Sequence, residues 1–162
     1  MIIAQNNMFS FSKRSLNNLK TCHKDLQSLA RNTLNHCPID FAISCGYRSQ
    51  EEQFKLFSQG RRQEGGKWVI EDRSKIVTNI DGFLLKSKHN SNPSLAFDFV
   101  AYVDGKYTYS EKYYCFIAGF MLSFAQELGF GDRIVWGGNF DMDNDIMEKG
   151  TFHDLGHIEL IE

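Results

Sequence analysis

The sequence predicts an α+β fold, a small and mainly antiparallel sheet with flanking helices. Helical periods and short runs of strand formers are mixed along the chain without regular strand–helix alternation, which argues against a doubly wound parallel sheet. Asp104-Gly105 between two strand-like runs is a strong hairpin signal, and hairpins make antiparallel neighbours. The 162 residues contain no internal repeat, no low-complexity tract and only two prolines, Pro38 and Pro93. One domain over 1–162 is therefore expected.

Leu26, Leu29, Ala30 and Leu34 recur at helical spacing and predict a helix over about 24–36, ended by Pro38. Phe41 to Cys45 reads as a strand, and Gly46-Tyr47-Arg48 turns the chain. Ser49 followed by Glu52 is a capping-box signature that opens a helix over about 50–59, closed by Gly60. Residues 60–86 are charged and then mixed, and read as a long loop holding a short strand or two. Residues 95–103 are rich in strand formers, and Lys106 to Tyr109 returns as their hairpin partner. Ser110 is placed to cap the longest helix, about 111–128, with Tyr114, Ile117, Ala118, Met121, Ala125 and Leu128 as its apolar stripe. Gly129 ends that helix, Arg133 to Trp136 is a strand, 137–152 a loop and His157 to Ile161 the last strand.

Lys plus Arg is 18 against Asp plus Glu 20, a balance that offers no electrostatic reason to expect nucleic acid or an anionic membrane as partner. No apolar run is long enough to cross a bilayer. Residues 1–7 lack a basic region followed by an apolar stretch, so no signal peptide is expected. Cys22, Cys37, Cys45 and Cys115 form no C-x-x-C pair. Reduced, mostly buried thiols are the expectation, with two disulfides as the alternative.

The chemistry is carried by two separated segments. Ser87-Lys88-His89 precedes Ala96-Phe97-Asp98, and Asp154-Leu155-Gly156-His157 lies near the C-terminus. Two histidines and one aspartate are the protein ligand count of a catalytic zinc, which keeps a fourth position for water. Asp98 stands between Phe97 and Phe99, where a carboxylate is expensive to bury unless it is paired or bound to a cation. Taken singly, Asp98 suits an exposed edge equally well, and His89 and His157 suit the surface. Together, with Asp154 three residues before His157, they are far more specific. Zinc polarises a carbonyl and lowers the pKa of its water. Asp154 is the candidate general base. Arg48, in a sharp strand-to-helix turn, is the candidate cation for the developing oxyanion. A surface pair between Arg48 and Glu51 or Glu52 is the plainer reading.

Ser-x-His, Ala-x-Asp and Asp-x-x-His, with Gly46-Tyr47-Arg48-Ser49-Gln50-Glu51-Glu52-Gln53 upstream, resemble the zinc D,D-carboxypeptidase and L-alanyl-D-glutamate endopeptidase family. The resemblance begins at Ser15 to Leu19 and His23 to Gln27. It runs on through Pro93 to Asp98 and Trp136-Gly137-Gly138 to Leu160. It implies a Hedgehog/D,D-peptidase-like fold and a zinc peptidase that cuts peptidoglycan stem peptides; no separate wall-binding domain is expected, because nothing is left over to build it. By position it implies zinc ligands at His89, Asp98 and His157, a catalytic acid at Asp154, a transition-state arginine at Arg48 and a supporting hydroxyl at Ser87. The stretch from His89 to Asp98 is two residues longer than the common spacing, and Cys45 and Gly156 differ from the commonest residues at their places.

Trp136 suits either the substrate groove or the core, and His153 reads as a rim residue that could contact substrate. Asn139, Asp141, Asp143, Asp145 and Glu148 form an acidic loop whose alternation would suit calcium, but Ile146 stands where an EF-hand needs glycine. A solvated acidic loop is the preferred reading. His23 and His36 are expected to face water. Cleavage of L-alanyl-D-glutamate bonds by a phage endolysin is the leading expectation, the protein being made in the host cytoplasm and acting on the wall after release. A D-alanyl-D-alanine carboxypeptidase is the alternative enzyme. A zinc-binding module without catalysis and a virion structural protein are the alternatives outside it. A monomer is the default.

Overall fold

The computed structural model describes residues 9–143, 145 and 153–161. In chain order the elements are α1 (Lys13–Lys20), α2 (Lys24–His36), β1 (Asp40–Cys45), α3 (Gln50–Ser58), β2 (Arg61–Glu64), β3 (Lys67–Ile70), β4 (Ala96–Val103), β5 (Lys106–Thr108), α4 (Glu111–Glu127), β6 (Ile134–Trp136) and β7 (His157–Leu160). The fold is α+β. One sheet runs β1-β4-β7-β6, with β5 also on β4, and every pairing in it is antiparallel. β2 and β3 form a separate hairpin.

β4 is the organising strand. Phe97, Phe99 and Ala101 are buried on the face toward the main core, beside Leu26, Leu29, Ile117, Met121 and Ile158. α4 packs on β4 and β6, and α2 packs on α4. The buried stripe of α4 is Tyr114, Ile117, Ala118, Met121 and Ala125. Leu128 does not belong to it, being 38% exposed, because it falls at the C-cap where the helix leaves the sheet. Ser110 occupies the N-cap position but its side chain makes no capping hydrogen bond. Ser49 does cap α3, in a two-way box with Glu52. Asp104 and Gly105 both take positive φ, the conformation a tight β4–β5 hairpin turn needs.

α1 has no counterpart in the periodicity reading. Only Ser15 and Leu19 are buried in it, too few to make an apolar stripe. Its polar side chains do the docking. Asn18 donates to the Ile43 carbonyl (2.9 Å), and the Ile43 N–H donates to the Ser15 hydroxyl (3.1 Å). α1 thereby covers the open edge of β1, where unpaired strand groups would otherwise face solvent. His23 and His36 are half-buried rather than facing water, because His23 N-caps α2 and His36 packs on Phe124. All four cysteines are free, Cys22 and Cys37 buried, Cys45 and Cys115 half-buried.

Candidate metal centre and catalytic cleft

Strand register brings the distant segments together. In the β4–β7 ladder Asp98 lies directly opposite His157, and in the β1–β4 ladder it lies opposite Cys45. Cross-strand partners have neighbouring side chains on one face, so the register alone sets Asp98 and His157 in contact. His89 comes from a 3-10 turn, Lys88–Asn90, capped by Ser87. That turn is laced to the one after β1. The Arg48 N–H donates to the His89 carbonyl (2.9 Å), and the Asn90 amide donates to the Arg48 carbonyl (2.9 Å). Each histidine is buried, His89 at 2% exposure and His157 at 7%. Taken singly His89 suits the surface; what buries it is the lacing to Gly46-Tyr47-Arg48, a tertiary contact.

The tautomers follow from the partners. His89 Nδ1 lies 2.7 Å from the Gly46 carbonyl, which only accepts, so in the neutral ring that a metal requires Nδ1 carries the proton and Nε2 is left bare. His157 Nε2 lies 3.0 Å from Glu159 Oε2, so Nε2 donates and Nδ1 is left bare. These two bare nitrogens are 3.3 Å apart, and they lie 3.1 Å and 3.0 Å from Asp98 Oδ1. Three lone-pair atoms thus close on one point, an arrangement that calls for protons or a cation. Ligand atoms around a tetrahedral zinc with bonds of about 2.0–2.1 Å sit about 3.3 Å apart, so the donor set fits that ion in type and spacing. The partners behind each ring hold its orientation.

Arg48 does not pair with Glu51 or Glu52. Its guanidinium reaches Asp98 Oδ2 (3.2 Å), Gln53 Oε1 (2.9 Å) and Cys45 Sγ (3.4 Å). The Asp98 carboxylate is thus divided, one oxygen to the arginine and the other to the histidine pair. Cys45 Sγ stands 4.0 Å from His89 Nδ1, the nitrogen already committed to Gly46, and with Asp98 it completes a second cluster of ligand-type atoms. The Arg48 cation sits against both Cys45 and Asp98, which disfavours a metal there.

Asp154 offers a carboxylate oxygen within 4.8 Å of the ligand atoms of Asp98 and His157. Its turn is clamped by backbone. Asp154 N–H donates to Gly137 O (2.8 Å), His157 N–H to Asp154 O (2.9 Å) and Gly137 N–H to His157 O (2.9 Å). A Cβ on Gly137 would stand 2.1 Å from the Asp154 carbonyl oxygen, so only glycine allows the approach. Asp154 lines the cleft at its exposed side, and partial desolvation there and then the negative charge of Asp98 raise its carboxyl above the ordinary range. Asp98 goes the other way despite the cost of burial, because the histidine hydrogen bonds and charges hold it well below the carboxylate range. Without metal, burial pulls both histidines down, but the Asp98 hydrogen bonds prevail, assisted by Cys45 and Glu159 respectively. They hold His89 up to about 10 and His157 up to about 9.

These groups open into a cleft of about 470 Å³. Arg48, His89, Asp98, Asp154, His157 and Glu159 line it on the chemical side, and Leu56, Val77, Thr78 and Ile80 form an apolar wall. Ser87 lines the cleft as well, its hydroxyl accepting from the His89 N–H (3.3 Å). Trp136 is not brought to the cleft; it is 4% exposed in the core, with its N–H donating to the Leu155 carbonyl. His153 is half-buried and is not among the cleft-lining residues. In the acidic loop Asp141, Asp143 and Asp145 are exposed, and the Asn139 amide donates to the Asp143 carbonyl (3.0 Å). Glu148 and Ile146 lie outside the described residues.

Two site residues were not singled out from sequence. Gln53 is 1% exposed, accepting from Arg48 and donating to the Ile80 carbonyl (2.9 Å), so it ties the arginine to the apolar wall. A glutamine on the inner face of a short helix was the available sign. Glu159 shares a strand face with His157, and that alternation was the sign for it.

A family model described as phage L-alanyl-D-glutamate peptidase matches residues 7–161. The L-alanyl-D-glutamate peptidase of Escherichia phage T5 is 29% identical over 157 residues, spanning 94% of this chain and 98% of that protein. A crystal structure of the Serratia marcescens L-Ala D-Glu endopeptidase ChiX is similar with a TM-score of 0.64 and 25% identity, covering 94% of this chain and 90% of that one.

Proposed function

Since the chain belongs to the phage L-alanyl-D-glutamate peptidase family, we propose that it is a zinc-dependent endopeptidase that hydrolyses the L-alanyl-D-glutamate bond of peptidoglycan stem peptides, acting on the bacterial wall as an endolysin. The observation that carries the metal assignment is the convergence of His89 Nε2, Asp98 Oδ1 and His157 Nδ1. When bound, zinc supplies Lewis-acid polarisation and a water acidified toward neutrality.

The chain's own residues do the rest. Asp154 takes the proton from the attacking water and delivers it to the departing amine of D-glutamate. Its raised carboxyl pKa suits that exchange, because a base poised nearer neutrality both accepts and returns a proton. Arg48 meets the negative charge that develops on the carbonyl oxygen, from a place fixed by Asp98 and Gln53. Glu159 keeps the His157 proton on Nε2, and Gly46 keeps the His89 proton on Nδ1, so both rings present bare nitrogens. Ser87 holds the turn that carries His89. The apolar wall of Leu56, Val77 and Ile80 receives the substrate's carbon skeleton.

Digestion of purified peptidoglycan, followed by mass spectrometry of the fragments, tests this reading. New N-terminal D-glutamate is expected, abolished by a chelator and restored by zinc. Release of free D-alanine instead would make the protein a carboxypeptidase, and full activity in the chelator would remove the metal from the mechanism.

A further inference from the structure

The substrate leaves one charge unaccounted for. In an L-alanyl-D-glutamyl peptide the glutamate amine is tied up in the scissile amide. Extending the chain consumes one of its two carboxyl groups, so the other stays free and anionic a few bonds from the reacting carbonyl. The cleft it must enter already holds the carboxylates of Asp98, Asp154 and Glu159. The proposed zinc and Arg48 are taken up by Asp98 and the reacting carbonyl, so a further carboxylate in this cleft calls for a cation of its own.

Among the described residues, the Lys and Arg side chains that line the cleft are Arg48, Lys86 and Lys88. Arg48 is engaged by Asp98 and Gln53. Neither lysine is paired with a carboxylate among the described residues. Lys86 is exposed but Lys88 is half-buried, and a partly desolvated ammonium is ordinarily met by an anion. The backbone that carries them is fixed. Asp81 Oδ1 accepts the N–H groups of Phe83, Leu84 and Leu85, each at 2.9 Å, just before Lys86. The Lys88 carbonyl accepts from Leu95 (3.0 Å), and Ser87 and Asn90 close a capping box around the turn. Lys88 is therefore carried on the same fixed turn as His89 and lines the same cleft.

We propose that Lys88, with Lys86 beside it, binds the free carboxylate of the D-glutamyl residue and so selects for an acidic residue after the cleaved bond. This rests on the endopeptidase reading given above. A compact ammonium on a flexible stem suits a carboxylate approached from one side, whereas a planar fork would demand a fixed bidentate geometry.

The test uses two synthetic stem peptides that differ only in that group, one with the free carboxylate and one with its carboxamide. Zinc-loaded wild type is expected to prefer the acid by roughly tenfold in kcat/KM, mostly through KM, the scale of one charge-assisted contact. In Lys88→Gln, and more fully in the Lys86→Gln/Lys88→Gln double variant, the acid-to-amide ratio should collapse toward one. Thermal melting checks that the variants are folded. Calorimetric affinity of the zinc-loaded protein for the D-glutamyl product and its carboxamide should show the same contrast without turnover. Equal use of both peptides by wild type, or a loss shared equally by both peptides in the variants, overturns the subsite. Cleavage of neither peptide by zinc-loaded wild type overturns the endopeptidase reading, and the subsite with it.

Discussion

Asp98 meets three side chains with one carboxylate. It is opposite His157 in the ladder, accepts from Arg48 through Oδ2 and faces both bare imidazole nitrogens through Oδ1. Its position between two phenylalanines had already made burial without a partner unaffordable on physical grounds. Asp154 has the opposite character, a carboxylate beside the cluster but unpaired with Arg48. Replacing Asp154 by Asn should therefore leave zinc stoichiometry at the wild-type value while lowering turnover by roughly 10²–10⁴, the usual worth of a general base. Metal analysis beside a peptide-hydrolysis assay checks this, and undiminished turnover would reject the assigned role. At Gly137 the constraint is steric. Gly137→Ala drives a methyl into the Asp154 carbonyl, which should cost about 1–3 kcal/mol of stability and displace Asp154. Urea denaturation measures the first effect and the loss of hydrolysis the second.

At the scale of elements, the legible pieces were those with strong local signals. The amphipathic period of α2, the capping box of α3 and the Asp104-Gly105 turn each contain their own reason within a few residues. α1 was not legible because its docking is polar, through Ser15 and Asn18 to the backbone of β1. Neither was the burial of His89, since the turn that carries it is polar and is buried only by the Arg48 turn laid across it. α3 has a second task beyond its own stability. Through Gln53 it joins Arg48 to the wall at Thr78 and Ile80. Gln53→Leu keeps the volume but strands the partners, the Arg48 guanidinium and the Ile80 carbonyl. A loss of about 1–3 kcal/mol is expected for such unsatisfied groups, with a lower kcat as Arg48 loses its anchor. Chemical denaturation and steady-state kinetics on the same preparation check both. A variant as stable and as active as wild type would show that the link is idle.

Across the whole molecule, the proposed metal site would tie protons to stability. In metal-free protein the two histidines titrate above their ordinary value, His89 at about 10 and His157 at about 9. A raised folded-state pKa stabilises fully below the unfolded value near 6.5, and that contribution fades as pH rises through 9 and then 10. Melting temperature in a chelator should accordingly fall between pH 7 and pH 10, and a flat profile would contradict the Asp98 pairing. Metal reads the same protons in reverse. Binding must displace them, so zinc affinity should climb with pH across that window, by about tenfold per unit for each proton released. Competition with a chromophoric chelator at several pH values measures the slope.

The α+β class and most of the elements, α1 excepted, were determined by local sequence, because capping, turn and periodicity signals act over a handful of residues. The meeting of the chemistry-bearing side chains was not. Residues 89, 98 and 157 close on one point only because β4 pairs with β7 in a register that sets Asp98 against His157, and because two polar turns interlock to bury His89. The same holds for Trp136, whose composition suited groove or core alike and which packing drew inward. Register and interlocking are long-range choices, made by the shared burial of β4, β7 and the helices above them, and no window of sequence contains them.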